Sequence, residues 1–294
     1  MDLPSDLGGI VGSTVVVPVP RRSFGALLGV VLLAGGAVAC AGDAGSRSAE
    51  AAPTKVAPAA AVAQAIDASQ DIASLHYRVV GTLPSTGRLK AEASMSVKPA
   101  VMRMTMTADD YKGGSVRLKV RFLDEAMYAS SNRLPADKLK GKSWFGAAPG
   151  VWGRDSTENR SFGVLPDELQ PSPLAQTSMM SASKNVRVIG TETVDGARTT
   201  HYKGTVRFDD MTTFTQRDQV FPLGASDPIT MDLWVDADGR TKQFRVRAAH
   251  LDAATMTEAG TLDLTFTFLD INQPVTVKAP PAADTRWLGD AREG

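Results

Sequence analysis

Residues 101–108 read VMRMTMTA and residues 115–122 read SVRLKVRF. Met102, Met104 and Met106 alternate with Arg103, Thr105 and Thr107. Val116, Leu118, Val120 and Phe122 alternate with Arg117, Lys119 and Arg121. A strand sends successive side chains to opposite faces, so this period of two builds one apolar and one polar face. The alternation recurs in LHYRVVGT (75–82), RLKAEASMSV (88–97), EAMYAS (125–130), NVRVIGTETV (185–194), TTHYKGTVRF (199–208) and TLDLTFTFLDI (261–271). It also runs through ITMDLWVDADGRTKQFRVRAAHL (229–251), where Asp238-Gly239 marks a hairpin, as Asp195-Gly196 does between 185–194 and 199–208. Many segments of this kind predict an antiparallel sheet with one wet side.

Two helical segments are expected to cover the dry side. The first runs from Pro58 to Ser74, with Val62, Ala65, Ile66 and Ile72 as an apolar stripe. The second runs from Pro166 to Lys184, with its start interrupted by Pro171 and Pro173. Residues 131–165 read as irregular, residues 209–227 as loop with a short helix, and residues 279–294 as a loose C-terminal tail. The expected fold class is α+β: a single curved, mostly antiparallel sheet of about ten or eleven strands, with helices on its concave face. The first helix is mostly Ala and the second is rich in Ser, so both are poor covers for the Met, Phe, Leu and Val of the strands. Either the sheet curls onto itself or an apolar ligand fills the remaining space.

The N-terminus sets the compartment. Arg21 and Arg22 precede an uncharged run, FGALLGVVLLAGGAVA (24–39), which is followed by Cys40, the sole cysteine. A basic segment, an apolar segment and small residues before a cut describe an export signal, and the run is short for a spanning helix. AVAC (37–40) resembles the bacterial lipobox, with Ala37 where Leu is commonest, then Val38 and Ala39. That resemblance implies cleavage before Cys40 and a diacylglyceryl group on its thiol. A plain secretory signal with a chance cysteine is the alternative. PRRSF (20–24) also resembles a twin-arginine signal, so both the Sec and twin-arginine routes are open. The expected organisation is a signal peptide at 1–39, a flexible tether at 40–57, the sheet domain at 58–278 and the tail at 279–294. Residues 41–57 as coil span roughly 20–25 Å.

Lys and Arg number 32, as do Asp and Glu. Neutrality leaves no electrostatic footprint for nucleic acid and no polybasic membrane patch. With Cys40 used as an anchor, no disulfide is left, and stability rests on the core or a ligand.

VIGTETVDGARTTHYKGTV (188–206) and ITMDLWVDADGRTKQFRV (229–246) resemble actinobacterial lipoproteins of the LprG/LppX type. The first matches at Gly190, Thr191, Glu192, Val194, Asp195, Gly196, His201 and Tyr202, and the second at Trp234, Val235, Asp236 and Gly239. More distantly, the order of elements resembles the LolA/LolB half-barrel plugged by helices. The resemblance implies an apolar cavity between sheet and helices that holds the acyl chains of a lipid or lipoglycan. Turn geometry and strand packing account for the hairpin motifs themselves, which mark the fold and not a site.

The motifs of covalent chemistry are absent. His76, His201 and His250 lack partners at metal spacing, and there is no His-Glu-x-x-His or Gly-x-Ser-x-Gly. GKS (141–143) lacks the first Gly of a phosphate loop, because Ala136 stands there. DADG (236–239) fits a hairpin turn better than a calcium loop. Trp144 and Trp152 lie in a Gly-rich stretch, where they would rim a cavity mouth, touch a membrane or simply pack.

The expectation is therefore a monomeric lipoprotein on the outer face of the cell membrane, anchored through Cys40. It would be no enzyme, need no cofactor or metal, and bind or carry an amphiphile. Face alternation picks Met104, Val120, Phe122, Phe244, Phe266 and Phe268 as the cavity lining. Burial at about 0.8 kcal/mol per methylene would hold a long acyl chain. The alternative is an anchored interaction or sensor module whose interior is filled by its own side chains.

Overall fold

The computed structural model describes residues 56–84, 87–109, 114–123, 126–134, 136–148, 173–218, 227–251 and 258–287. The export signal, the lipobox residues Ala37, Val38 and Ala39, Cys40 and Trp152 lie outside them.

Helix α1 (Pro58–Ala68) starts on a proline, which is preorganised for a first turn. It buries Val62 and Ala65. It ends six residues before the expected Ser74, where Ser69 Oγ donates to the Ala65 carbonyl at 2.7 Å. Five strands follow as a meander: β1 (Ser74–Leu83), β2 (Gly87–Val97), β3 (Ala100–Asp109), β4 (Ser115–Leu123) and β5 (Ala126–Ser131). After a single helical turn, α2 (Ala136–Leu139), comes β6 (Trp144–Ala147). The described part of the second expected helix is a 3-10 helix, Pro173–Ala182, not an α-helix. A second meander follows: β7 (Arg187–Val194), β8 (Ala197–Val206), β9 (Ile229–Asp236), β10 (Thr241–Leu251) and β11 (Glu258–Ile271). Helix α3 (Phe214–Asp218) lies between β8 and β9, and β12 (Thr285–Trp287) closes the described chain.

All twelve strands join one sheet in the order β12-β6-β5-β4-β3-β2-β1-β11-β10-β9-β8-β7. The two meanders meet where β1 pairs with β11. Gly81 permits that contact, since a Cβ there would lie 1.9 Å from the Asp263 carbonyl oxygen. The sheet stays open, with β12 and β7 at its edges. The antiparallel α+β expectation holds, with two additions. β6 arises inside the stretch expected to be irregular, and β12 inside the expected loose tail; they pair in parallel, Thr285 opposite Trp144. Strands of four and three residues are too short to display a period of two. Lys142 Nζ bonds the Ala283 carbonyl, and Asp284 Oδ1 accepts from the Ser143 amide at 2.8 Å, holding the tail in place.

Register confirms which side is dry. Across β4, β3, β2, β1, β11, β10 and β9 the inward row reads Val120, Met104, Ala93, Tyr77, Phe268 and then, one step along, Phe266, Phe244 and Leu233. Val62 and Ala65 of α1, with Leu174, Met179 and Met180 of the 3-10 helix, join the same core. The opposite face carries Arg103, Lys119, Arg121, Glu92 and His76.

Candidate functional site

The six residues picked by alternation all sit on β3, β4, β10 and β11. Five of them, Met104, Val120, Phe244, Phe266 and Phe268, are buried and share one core cluster, and Phe122 packs against it half-buried. They form two groups. Phe244 and Phe266 stack at 4.5 Å with ring planes 6° apart, and Phe268 lies 6.0 Å from Phe244. These three have no exposed surface and close the core beneath β10 and β11. Met104 and Val120 are cross-strand partners, and Phe122 faces Met102.

Between the groups lies β2, whose inward side chains include Ala91 and Ala93. Ala91 and Ala93, both buried, pair with Val79 and Tyr77 on one side and with Met106 and Met104 on the other, so the side chains between these larger ones are small. The apolar face is sealed under β9–β11 and less so under β3–β5. There Met106, Leu118, Phe122 and Met127 are only partly buried. Leu118 faces Met106 across β3–β4, and Phe122 faces Met127 across β4–β5.

On β1 a polar group points into this face. Tyr77 is fully buried, its ring 6.3 Å from that of Phe268. Its hydroxyl has no hydrogen-bond partner among the described residues. Burial pushes the phenol well above its usual range and so favours the neutral form, which can donate a hydrogen bond. An orphaned buried hydroxyl costs about 1–3 kcal/mol. No motif marked Tyr77 in the sequence. Its place on the apolar side of a period-two strand was legible, but the lack of a partner was not.

The wet face holds a second arrangement. His201, on β8, sets Nδ1 2.7 Å from Glu192 Oε1 of β7 and Nε2 2.9 Å from Asp232 Oδ1 of β9. Trp234 stacks on its ring at 4.2 Å and donates from Nε1 to Glu192 Oε2 at 2.9 Å. Arg247 of β10 closes the set onto Asp232 Oδ2. The Trp234 indole, and after it His201, holds the Glu192 carboxyl below the usual carboxylate range. Glu192, His201 and Trp234 are among the residues shared with the LprG/LppX-type hairpins, so the motif ties β7, β8 and β9 together, and Asp232 with Arg247 extends the tie to β10. Its signal was Glu192 and His201 on one face across the Asp195-Gly196 turn. The other two histidines also fall on strands, His76 on the polar face between Glu92 and Asp270. Among the described residues no three His, Cys, Asp or Glu side chains group as metal ligands. No helix among them is long and apolar enough to cross a membrane.

Trp144, expected in a loop, is a buried β6 residue with the Arg121 guanidinium 4.8 Å over its ring.

Comparison with known proteins bears on the same region. Residues 175–277 match the model of the LppX_LprAFG lipoprotein family, a span that contains both hairpins. A candidate lipoprotein of Streptomyces coelicolor is 25% identical over 176 residues, 58% of this chain and 52% of that protein. An uncharacterized protein of Streptomyces griseus is 25% identical over 186 residues, 59% of this chain and 57% of that protein. The chain thus matches a little over half the length of these relatives. Among solved structures, Mycobacterium tuberculosis lipoprotein LppX aligns with 18% identity and a TM-score of 0.43, covering 75% of this chain and 98% of that one. Mycobacterium bovis LprF aligns with 14% identity and a TM-score of 0.47, covering 76% and 96%. The LprG/LppX-type resemblance of the two hairpins therefore stands, and residues 175–277 carry the pattern of the LppX_LprAFG lipoproteins.

Proposed function

We propose that this chain is an envelope lipoprotein, anchored through diacylated Cys40, that holds the acyl chains of an amphiphile against the dry face of its sheet. The observation that carries this reading is the Tyr77 hydroxyl. It is buried with no hydrogen-bond partner among the described residues, on the strand beside Ala91 and Ala93 of β2. A protein that filled this interior with its own side chains would gain from Phe at that position. A donor is retained at a cost if it meets an acceptor on a ligand, such as an ester carbonyl or a hydroxyl near the acyl chains. Met104, Val120 and Phe122 would line the path with Met106, Leu118 and Met127. Phe244, Phe266 and Phe268 would form its closed end. Binding and release need no covalent step.

The test is mass spectrometry of lipid extracted from the purified chain, alongside Tyr77→Phe. A stoichiometric amphiphile that is depleted several-fold in Tyr77→Phe is the expected result. A wild-type chain that carries no amphiphile and takes up none from mixed micelles would overturn the reading. It would favour an anchored interaction module with a self-filled interior.

A further inference from the structure

The wet face carries a feature the lipid-holding reading does not use. A groove of about 350 Å³ runs over β1–β4 and β6, and its walls include Arg103, Lys119, Arg121 and Trp144. A smaller hollow of about 140 Å³ shares His76, Ser94 and Arg103 with it. Arg103 and Arg121 are direct cross-strand partners. Like charges placed opposite each other destabilise a sheet. Neither has a carboxylate partner among the described residues. Arg103 Nε donates to the Ser94 hydroxyl at 3.4 Å, and Arg121 donates to the Lys278 carbonyl at 2.9 Å while lying over Trp144. Lys119, one pleat along on the same face, makes no ion pair among the described residues. The carboxylates nearby are Glu92 in the groove and Asp270 in the hollow, and both bond His76, at 3.0 and 3.2 Å. Among the described residues, none of these three cations is ion-paired to a carboxylate, and Glu92 is the one carboxylate in the lining of the groove.

We propose that this groove binds a phosphate ester of a small polyol or sugar. Two guanidinium forks and an ammonium supply donors in several planes, which suits a tetrahedral oxyanion with several acceptor oxygens. The groove is larger than a phosphate alone, and its lining includes Trp144, whose ring is covered by the Arg121 guanidinium, so the extra room suits a small polyol or sugar carried on the phosphate. The Arg103–Arg121 repulsion, a cost without the ligand, becomes a shared attraction to it. The ester could come free in solution or as a lipid headgroup. The site is on the opposite face from the acyl path, so it stands or falls separately from that reading.

The test is calorimetric titration of the full lipidated chain in non-ionic detergent. The probes are inorganic phosphate, sn-glycerol 3-phosphate, and micelles doped with phosphatidylglycerol or, as the uncharged control, phosphatidylcholine. Saturable binding of at least one phosphate-bearing probe is expected, with no response to phosphatidylcholine. Arg103→Gln and Lys119→Gln should each weaken it at least tenfold. Lys90→Gln, on the same face outside the groove, should leave it within twofold. Arg103→Gln should melt no lower than the wild type, because it relieves the cross-strand repulsion, so lost binding would not reflect lost fold. Tighter binding of phosphatidylglycerol than of sn-glycerol 3-phosphate points to a headgroup, and the reverse to a free ester; either supports the site. No saturable binding by any phosphate-bearing probe, or an equal loss in Lys90→Gln, would overturn the proposal.

Discussion

At the scale of single residues, two polar groups stand out because of where the sheet places them. Tyr77→Phe removes a hydroxyl that has no hydrogen-bond partner among the described residues. The lipid-free variant should therefore unfold at the same or higher denaturant concentration than the wild type, by up to about 1–3 kcal/mol. Wild type and variant can be compared by urea melts after delipidation. A clear loss of stability would mean that the hydroxyl is satisfied within the fold. Glu192 behaves in the opposite way. Its carboxyl is held low by the Trp234 and His201 bonds. The stability it contributes is complete above the ordinary carboxylate range, near pH 5. It is lost as pH falls through the lowered folded value. Thermal melts between pH 7 and 3 should show the wild type falling more steeply than Glu192→Gln at the acid end, with parallel curves above pH 5.

At the scale of elements, short-range signals and pairing divide the credit. The Asp195-Gly196 turn was legible, and both residues have positive φ, 47° and 79°. That is the pair of left-handed positions a two-residue hairpin requires. Gly196→Ala should cost about 1 kcal/mol in a chemical denaturation midpoint, with no change in lipid content. The tail was not legible. β12 has three residues, and what orders it is its parallel partner β6, distant in sequence. Truncation after residue 280 should expose the β6 edge and loosen Trp144. The change would be read as a red-shifted tryptophan emission relative to the full chain carrying Trp287→Phe, because the truncation also removes Trp287. An unchanged spectrum would show that β12 contributes nothing to that edge. The 3-10 geometry of Pro173–Ala182 was missed for a related reason. Its Ser-rich, weakly patterned sequence has no stripe wide enough to favour an α-helix, and its form is set by the core that buries Leu174, Met179 and Met180.

At the scale of the whole molecule, the proposed membrane connection is a matter of covalent chemistry. With equal numbers of acidic and basic residues, the chain has no net charge to hold it at an anionic surface. Cys40→Ala should therefore move the protein out of the membrane fraction, or stall it as uncleaved precursor, in cell fractionation. An unchanged membrane fraction would refute the lipid anchor.

The sequence by itself determined the two-faced strands, the hairpin turns and the residues that form the dry side. These follow from the alternation of side chains along a strand and from local backbone preference, which act over a few residues. It also carried the hairpin pattern shared with the LppX_LprAFG lipoproteins. Only the tertiary structure decided that β1 and β11 join the two meanders, that β6 and β12 pair in parallel, and that Arg103 faces Arg121. It alone left Tyr77 without a hydrogen-bond partner among the described residues while sealing Phe244, Phe266 and Phe268 against one another. Those outcomes depend on register between segments far apart in the chain. A step of one residue there would exchange the faces of a strand, and no local pattern records the step that was taken.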